Sequence, residues 1–130
     1  MHYRGFESFR RNDPPAFRGG YNPEGAREWI SELEKIFETM ECPEDKKVTY
    51  ATFMLKEEAH HWWTNNRRLV EVAGVAVCWD DFKAIFLEKY FPADVRNRKE
   101  AEFLMLQQGD MTVAEYAAKF EELSQYSTSF

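Results

Sequence analysis

The chain has 130 residues, a formal net charge of −6 and 16% aromatic residues, among them 11 Phe and 4 Trp. That length supports one compact domain, or a small lobe with part of a second, and so many aromatics exclude a disordered tail rich in charge. The acidic balance excludes a global basic field that would gather nucleic acid, so any RNA contact has to be local or lie outside this chain.

Residues 1–20 hold Pro14-Pro15 and Gly19-Gly20 and show neither a helical nor a strand period, so they read as an extended N-terminal arm. A helix is predicted to start at "NPEGAREWISELEKIF". Asn22 suits the N-cap and Pro23 the first helical position, and Ala26, Trp29, Ile30, Leu33 and Phe37 recur on one face. Glu34 and Glu38 fall on the wet side of that helix. A short second helix follows Pro43, with acids in its first turn and Val48, Ala51, Thr52 and Leu55 at helical intervals.

The stretch "EEAHHWWTNNRRL" reads as a third helix carrying Ala59, Trp62 and Trp63, with Arg67 and Arg68 towards its C-terminal end. Trp79, Phe82, Ile85, Phe86 and Tyr90 mark a fourth, closed by Phe91-Pro92. A fifth is expected after Pro92, with Gly109 placed to stop it. Thr112 and Glu115 form a capping box for a sixth, whose apolar face is Val113, Tyr116, Ala117, Phe120 and Leu123. The fold class is therefore all-α, with about six helices. Residues 21–92 are read as a first lobe, 93–110 as a linker helix and 111–130 as the start of an incomplete second lobe.

Within the third helix, Glu57 with His60 and Glu58 with His61 have the Glu-x-x-His spacing of di-iron bundles. That site needs a second such pair and two more inward glutamates, and adjacent histidines diverge by about 100° around a helix. His60 and His61 are therefore read as surface and partly packed residues, with no metal. Trp62 and Trp63 diverge in the same way, so one fills a core while the other faces a groove or another helix. Cys42 and Cys78 form no C-x-x-C pair and fit reduced thiols. No nucleophile elbow, Gly-rich phosphate loop or H-E-x-x-H occurs, so neither an enzyme nor a cofactor nor a small-molecule substrate is expected.

No apolar run approaches the roughly 18 residues of a membrane span, and the start "MHYRGFESFRR" lacks the apolar segment of a secretory signal. A cytoplasmic protein is expected, with nuclear entry left open. The pair Arg67-Arg68 and the cluster Arg96, Arg98 and Lys99 read first as solvated helix faces. They are also the best local candidates for electrostatic contacts with phosphate or an acidic partner.

The blocks "AREWISELEKIFETM", "KVTYATFMLKEEAHHWW", "WDDFKAIFLEKYFP" and "FLMLQQGDMTVAEYAAKFEEL" follow one another in an order that resembles the capsid region of the Gag polyprotein of gypsy-type long-terminal-repeat retrotransposons. The resemblance covers about residues 15–126. It implies an all-helical capsid N-terminal lobe and the beginning of a second lobe, in a structural protein that assembles into shells around element RNA. By the same resemblance Trp29, Leu33, Phe37, Ala59, Trp62, Trp63, Trp79, Phe82 and Phe86 are the structural core. The family's zinc knuckle is absent from these residues, so RNA is expected to be held by regions outside the chain.

The partner expected on this reading is the chain itself: a dimer through Val113, Tyr116, Phe120 and Leu123, and a shell in the full protein. Arg96, Arg98 and Lys99 would meet acidic faces such as Glu32, Glu34 and Glu38 of a neighbour. A second reading is a domesticated lobe that binds peptides in a groove between helices. Pro15-Ala16-Phe17 would then occupy the groove in cis, with Phe17 against Trp62 or Trp63, either as a core plug or as a displaceable segment.

Overall fold

The structure is a computed structural model that describes residues 5–74 and 76–124. Among the described residues there are seven helices: α1 (Gly5–Arg11), α2 (Pro23–Thr39), α3 (Glu44–Phe53), α4 (Glu57–Val72), α5 (Trp79–Tyr90), α6 (Ala93–Leu104) and α7 (Val113–Ser124). The chain divides into two compact units, Met1–Phe91 and Pro92–Phe130. No described helix is long and apolar enough to cross a membrane.

The helix boundaries in the first unit follow from local chemistry. The Asn22 side chain accepts a hydrogen bond from the Gly25 N–H and Pro23 opens α2, so two orphan ends of the first turn are dealt with at no conformational cost. At its other end α2 closes in a Schellman motif: the Cys42 N–H donates to the Phe37 carbonyl and the Glu41 N–H to the Glu38 carbonyl. Glu41 takes the left-handed position there, with φ +53°.

Between these ends α2 buries Ala26, Trp29, Ile30, Leu33, Ile36 and Phe37, the inward stripe of an amphipathic helix. The facing element is α5, which buries Trp79, Phe82, Phe86 and Tyr90. Rings then run through the core. Phe37 meets Trp79 at 5.1 Å, Trp29 meets Phe86 at 4.9 Å, and Trp63 meets Phe82 at 5.0 Å edge-on.

The extended arm read over residues 1–20 needs correction, because Gly5–Arg11 is helical. Its Phe9 is fully buried, with ring centroids 5.8 Å from Phe37 and 5.5 Å from Tyr50. Seven residues present too few turns for a period to be read, and what holds them is contact with α2 and α3, far along the chain.

In the second unit α6 packs against α7, with the Phe103 and Phe120 rings 5.0 Å apart. The capping box closes as a reciprocal pair: the Glu115 N–H donates to Thr112 Oγ1 at 3.1 Å and the Thr112 N–H to Glu115 Oε2 at 3.3 Å. Gly109 does not stop α6, which ends at Leu104. Its φ of +53° serves a separate turn in which the Met111 N–H donates to the Gln108 carbonyl. A glycine suits both roles equally, so its presence alone does not fix where the helix ends.

Candidate functional site

The arm from Pro14 to Gly20 lies in a groove of the first unit. Phe17 pairs with Leu55 as an isolated parallel bridge: its N–H donates to the Met54 carbonyl at 3.0 Å, and its carbonyl accepts from the Lys56 N–H at 2.9 Å. The Phe17 ring is 6% exposed, and its described ring neighbours are Trp29, Phe86 and Tyr90 at 5.9, 5.1 and 4.9 Å. That corrects the expected seat against Trp62 or Trp63. Trp62 sits one layer out, half-buried, at 6.0 Å from Phe86 and 5.4 Å from Tyr90.

Both flanks of Phe17 are tied down. Before it, Trp29 Nε1 donates to the Pro15 carbonyl at 2.8 Å. After it, the Gly20 N–H donates to Glu58 Oε2 at 3.0 Å, and Arg18 faces Glu57 at 3.5 Å. Gly19, at φ +97°, runs so close to α4 that an added Cβ would lie 2.9 Å from the Glu58 Cβ and 3.1 Å from the Ala59 nitrogen. Only glycine fits that approach and that dihedral together.

At the far end of α5, Trp79 Nε1 donates to Glu34 Oε2 at 3.0 Å, and Lys83 Nζ reaches the same oxygen at 3.1 Å. Glu34, placed on the wet side by periodicity, is thus a half-buried acceptor. The signal for it was the indole itself, since a buried tryptophan N–H needs a partner. Nearby, the Trp79 N–H donates to Glu44 Oε1 at 3.3 Å. The hydrogen bond from Lys47 holds the Glu44 carboxyl below its usual range and outweighs the opposing desolvation, with the Trp79 N–H assisting.

Tyr90 closes the groove floor. Its residue is 5% exposed and its hydroxyl has no hydrogen-bond partner in the structure. Desolvation, with the negative charge of Glu58 adding to it, pushes the phenol up to about 12.

The remaining core positions are seated as follows. Leu33, Ala59, Phe82 and Phe86 are 0% exposed, and Trp29, Phe37, Trp63 and Trp79 at most 5%. His60 and His61 are both exposed, their rings 5.7 Å apart. Among the described residues no cluster of three or more His, Cys, Asp or Glu is gathered to hold a metal.

Several charged candidates already have neighbours on their own helices. Arg67 faces Glu71 at 3.5 Å, Arg68 donates to Asn65 Oδ1 at 3.1 Å, and Arg96 faces Glu100 at 3.7 Å. Arg98 and Lys99 also have interactions of their own. On the acidic side, Glu32 faces Lys35 at 3.7 Å. The apolar face expected to be open along residues 113–123 is open only in part. Val113 is 74% and Phe120 46% exposed, whereas Leu123 is fully buried and Tyr116 is half-buried at 6.3 Å from Phe120.

A family model described as "Retrotransposon-derived protein PEG10, N-terminal capsid-like domain" matches residues 11–91. No curated protein and no solved structure matches the chain.

Proposed function

The chain belongs to the family of the retrotransposon-derived PEG10 N-terminal capsid-like domain, and on that premise we propose that it is a building block of a Gag-type shell that packages element RNA. The carrying observation is that the match spans residues 11–91, so it falls wholly within the compact unit Met1–Phe91 and ends on the same residue. The role is structural: copies bury modest surfaces that multiply by avidity, so weak individual contacts suffice. Packaging of RNA would fall to other parts of the parent protein, because this chain is acidic overall. The cytoplasm is the compartment this reading implies.

Electron microscopy of the purified protein, with and without added RNA, tests the proposal. Closed or curved particles, or a discrete oligomer on the way to them, support it. A monomer at every concentration speaks against it.

A second reading is favoured by one observation, the Pro15-Ala16-Phe17 segment lying in cis as a bridged strand in an aromatic groove. On this reading the lobe binds extended Pro-x-Phe peptides by exchanging its own arm for a ligand. A fluorescent Pro-x-Phe peptide distinguishes the two readings, since it binds a Phe17→Ser variant only if the groove outlives the loss of its plug.

A further inference from the structure

α1 lies on α3 through a seam of rings, in which Phe9 and Phe6 both meet Tyr50 and Phe6 also meets Phe53. Phe9 and Tyr50 are buried, whereas Phe6 is 38% and Phe53 46% exposed, their rings edge-on at 5.0 Å. Cations gather around the open pair. The Arg10 guanidinium carbon is 5.6 Å and Lys56 Nζ 4.8 Å from the centre of the Phe53 ring. Lys46 is exposed and lies two turns before Phe53 on the same face of α3. Arg11, Arg18 and Lys47 each face a glutamate, but among the described residues no carboxylate pairs with Arg10, Lys46 or Lys56. In a chain of net charge −6, this face keeps three cations for an outside anion, beside two rings left open.

We infer that this face binds single-stranded RNA, with bases stacking on Phe53 and Phe6 and phosphates held by Arg10, Lys46 and Lys56. A single strand carries unpaired flat bases and regular negative charge in one polymer, which is the combination these residues match. An acidic peptide would satisfy the cations and leave the rings unused, and a duplex keeps its bases stacked inside. Lys56 Nζ also donates to the Phe53 carbonyl at 3.0 Å, which fixes the ammonium beside the ring and leaves two of its protons for phosphate. The contact is local, as the acidic balance requires, and it adds one weak hold per copy to RNA held elsewhere in the parent protein.

Fluorescence anisotropy of a short labelled oligouridine, titrated over a range of salt and repeated with its duplex on oligoadenosine, tests the inference. Wild type should bind the single strand more tightly than the duplex. Its log affinity should fall against log salt with a slope of about −2, from ~0.7 per phosphate and three cations. Phe53→Leu keeps an apolar side chain in the seam but removes the stacking face, and should weaken binding about tenfold. Arg10→Gln/Lys56→Gln should bring the slope to about −0.7 and Lys46→Gln to about −1.4. Arg67→Gln/Arg68→Gln, on α4, should change nothing, and circular dichroism confirms that each variant is folded.

No binding at the lowest salt overturns the inference, and so does binding that is unchanged by the Phe53, Arg10/Lys56 and Lys46 variants or equal for single strand and duplex. Polyglutamate that binds as tightly as oligouridine, and loses as much in Phe53→Leu, replaces RNA with an acidic protein partner and overturns it too. The inference goes beyond the shell-building reading and fails separately from it. A monomer that binds oligouridine through this face upholds the inference against that reading, whereas particles built from a protein with no such binding do the reverse.

Discussion

Trp29 Nε1 donates to the carbonyl oxygen of Pro15 at 2.8 Å, which ties the arm to the middle of α2. Trp29→Phe keeps a large ring in the core but leaves that carbonyl without its donor. The expected cost is about 1–3 kcal/mol, the penalty for a polar group left unsatisfied on burial, read as a lower urea midpoint with an unchanged slope. Trypsin should also cut after Arg18 faster in the variant.

Phe17 is 6% exposed and fills the space between Trp29, Phe86 and Tyr90, so its removal opens a cavity. Phe17→Ala should cost about 3–5 kcal/mol by denaturant unfolding. Gly19→Ala should destabilise in the same assay, because the new methyl would press on Glu58 and Ala59. A Phe17→Ala protein as stable as wild type would mean that the segment is a detachable strap and not part of the core.

Much of this architecture is legible in the sequence, for identifiable reasons. Trp29, Leu33 and Phe37 recur at helical intervals, and Asn22-Pro23 and Thr112/Glu115 mark helix starts by chemistry that acts within one turn. What escapes is what non-local contact decides. Phe9 is held by Phe37 and Tyr50, Phe17 lies on Trp29, Phe86 and Tyr90 and not on Trp62 or Trp63, and Glu34 is drawn inward by Trp79 and Lys83. Amphipathic spacing places a residue on a face, but it does not say which neighbour that face meets.

The Tyr90 hydroxyl is buried without a partner, so Tyr90→Phe removes a polar group that gains nothing in the fold. The variant should equal wild type at neutral pH or exceed it by about 1 kcal/mol. Alkaline pH gives a second readout. The phenol ionises near 10.0 when unfolded and is pushed up to about 12 in the fold, so the unfolded state loses its proton first. Stability is therefore full below pH 10 and falls as the pH rises towards 12, and that fall should be shallower in Tyr90→Phe. Denaturation midpoints across this range, with phenolate absorbance alongside, check the difference.

Glu41 occupies the left-handed position of the α2 Schellman motif at φ +53°, where glycine carries no Cβ penalty. Glu41→Gly should raise stability by up to about 1 kcal/mol, measured by thermal unfolding, because the relief of left-handed strain exceeds the entropy glycine adds to the unfolded chain.

The central claim is that this capsid-like lobe works by associating with copies of itself. The most direct measurement is light scattering coupled to size exclusion on the wild-type chain, from low to high protein concentration and at two salt levels. The account predicts a discrete dimer or larger species whose population grows with concentration. A monomer under every condition, with no particles by electron microscopy, would contradict it.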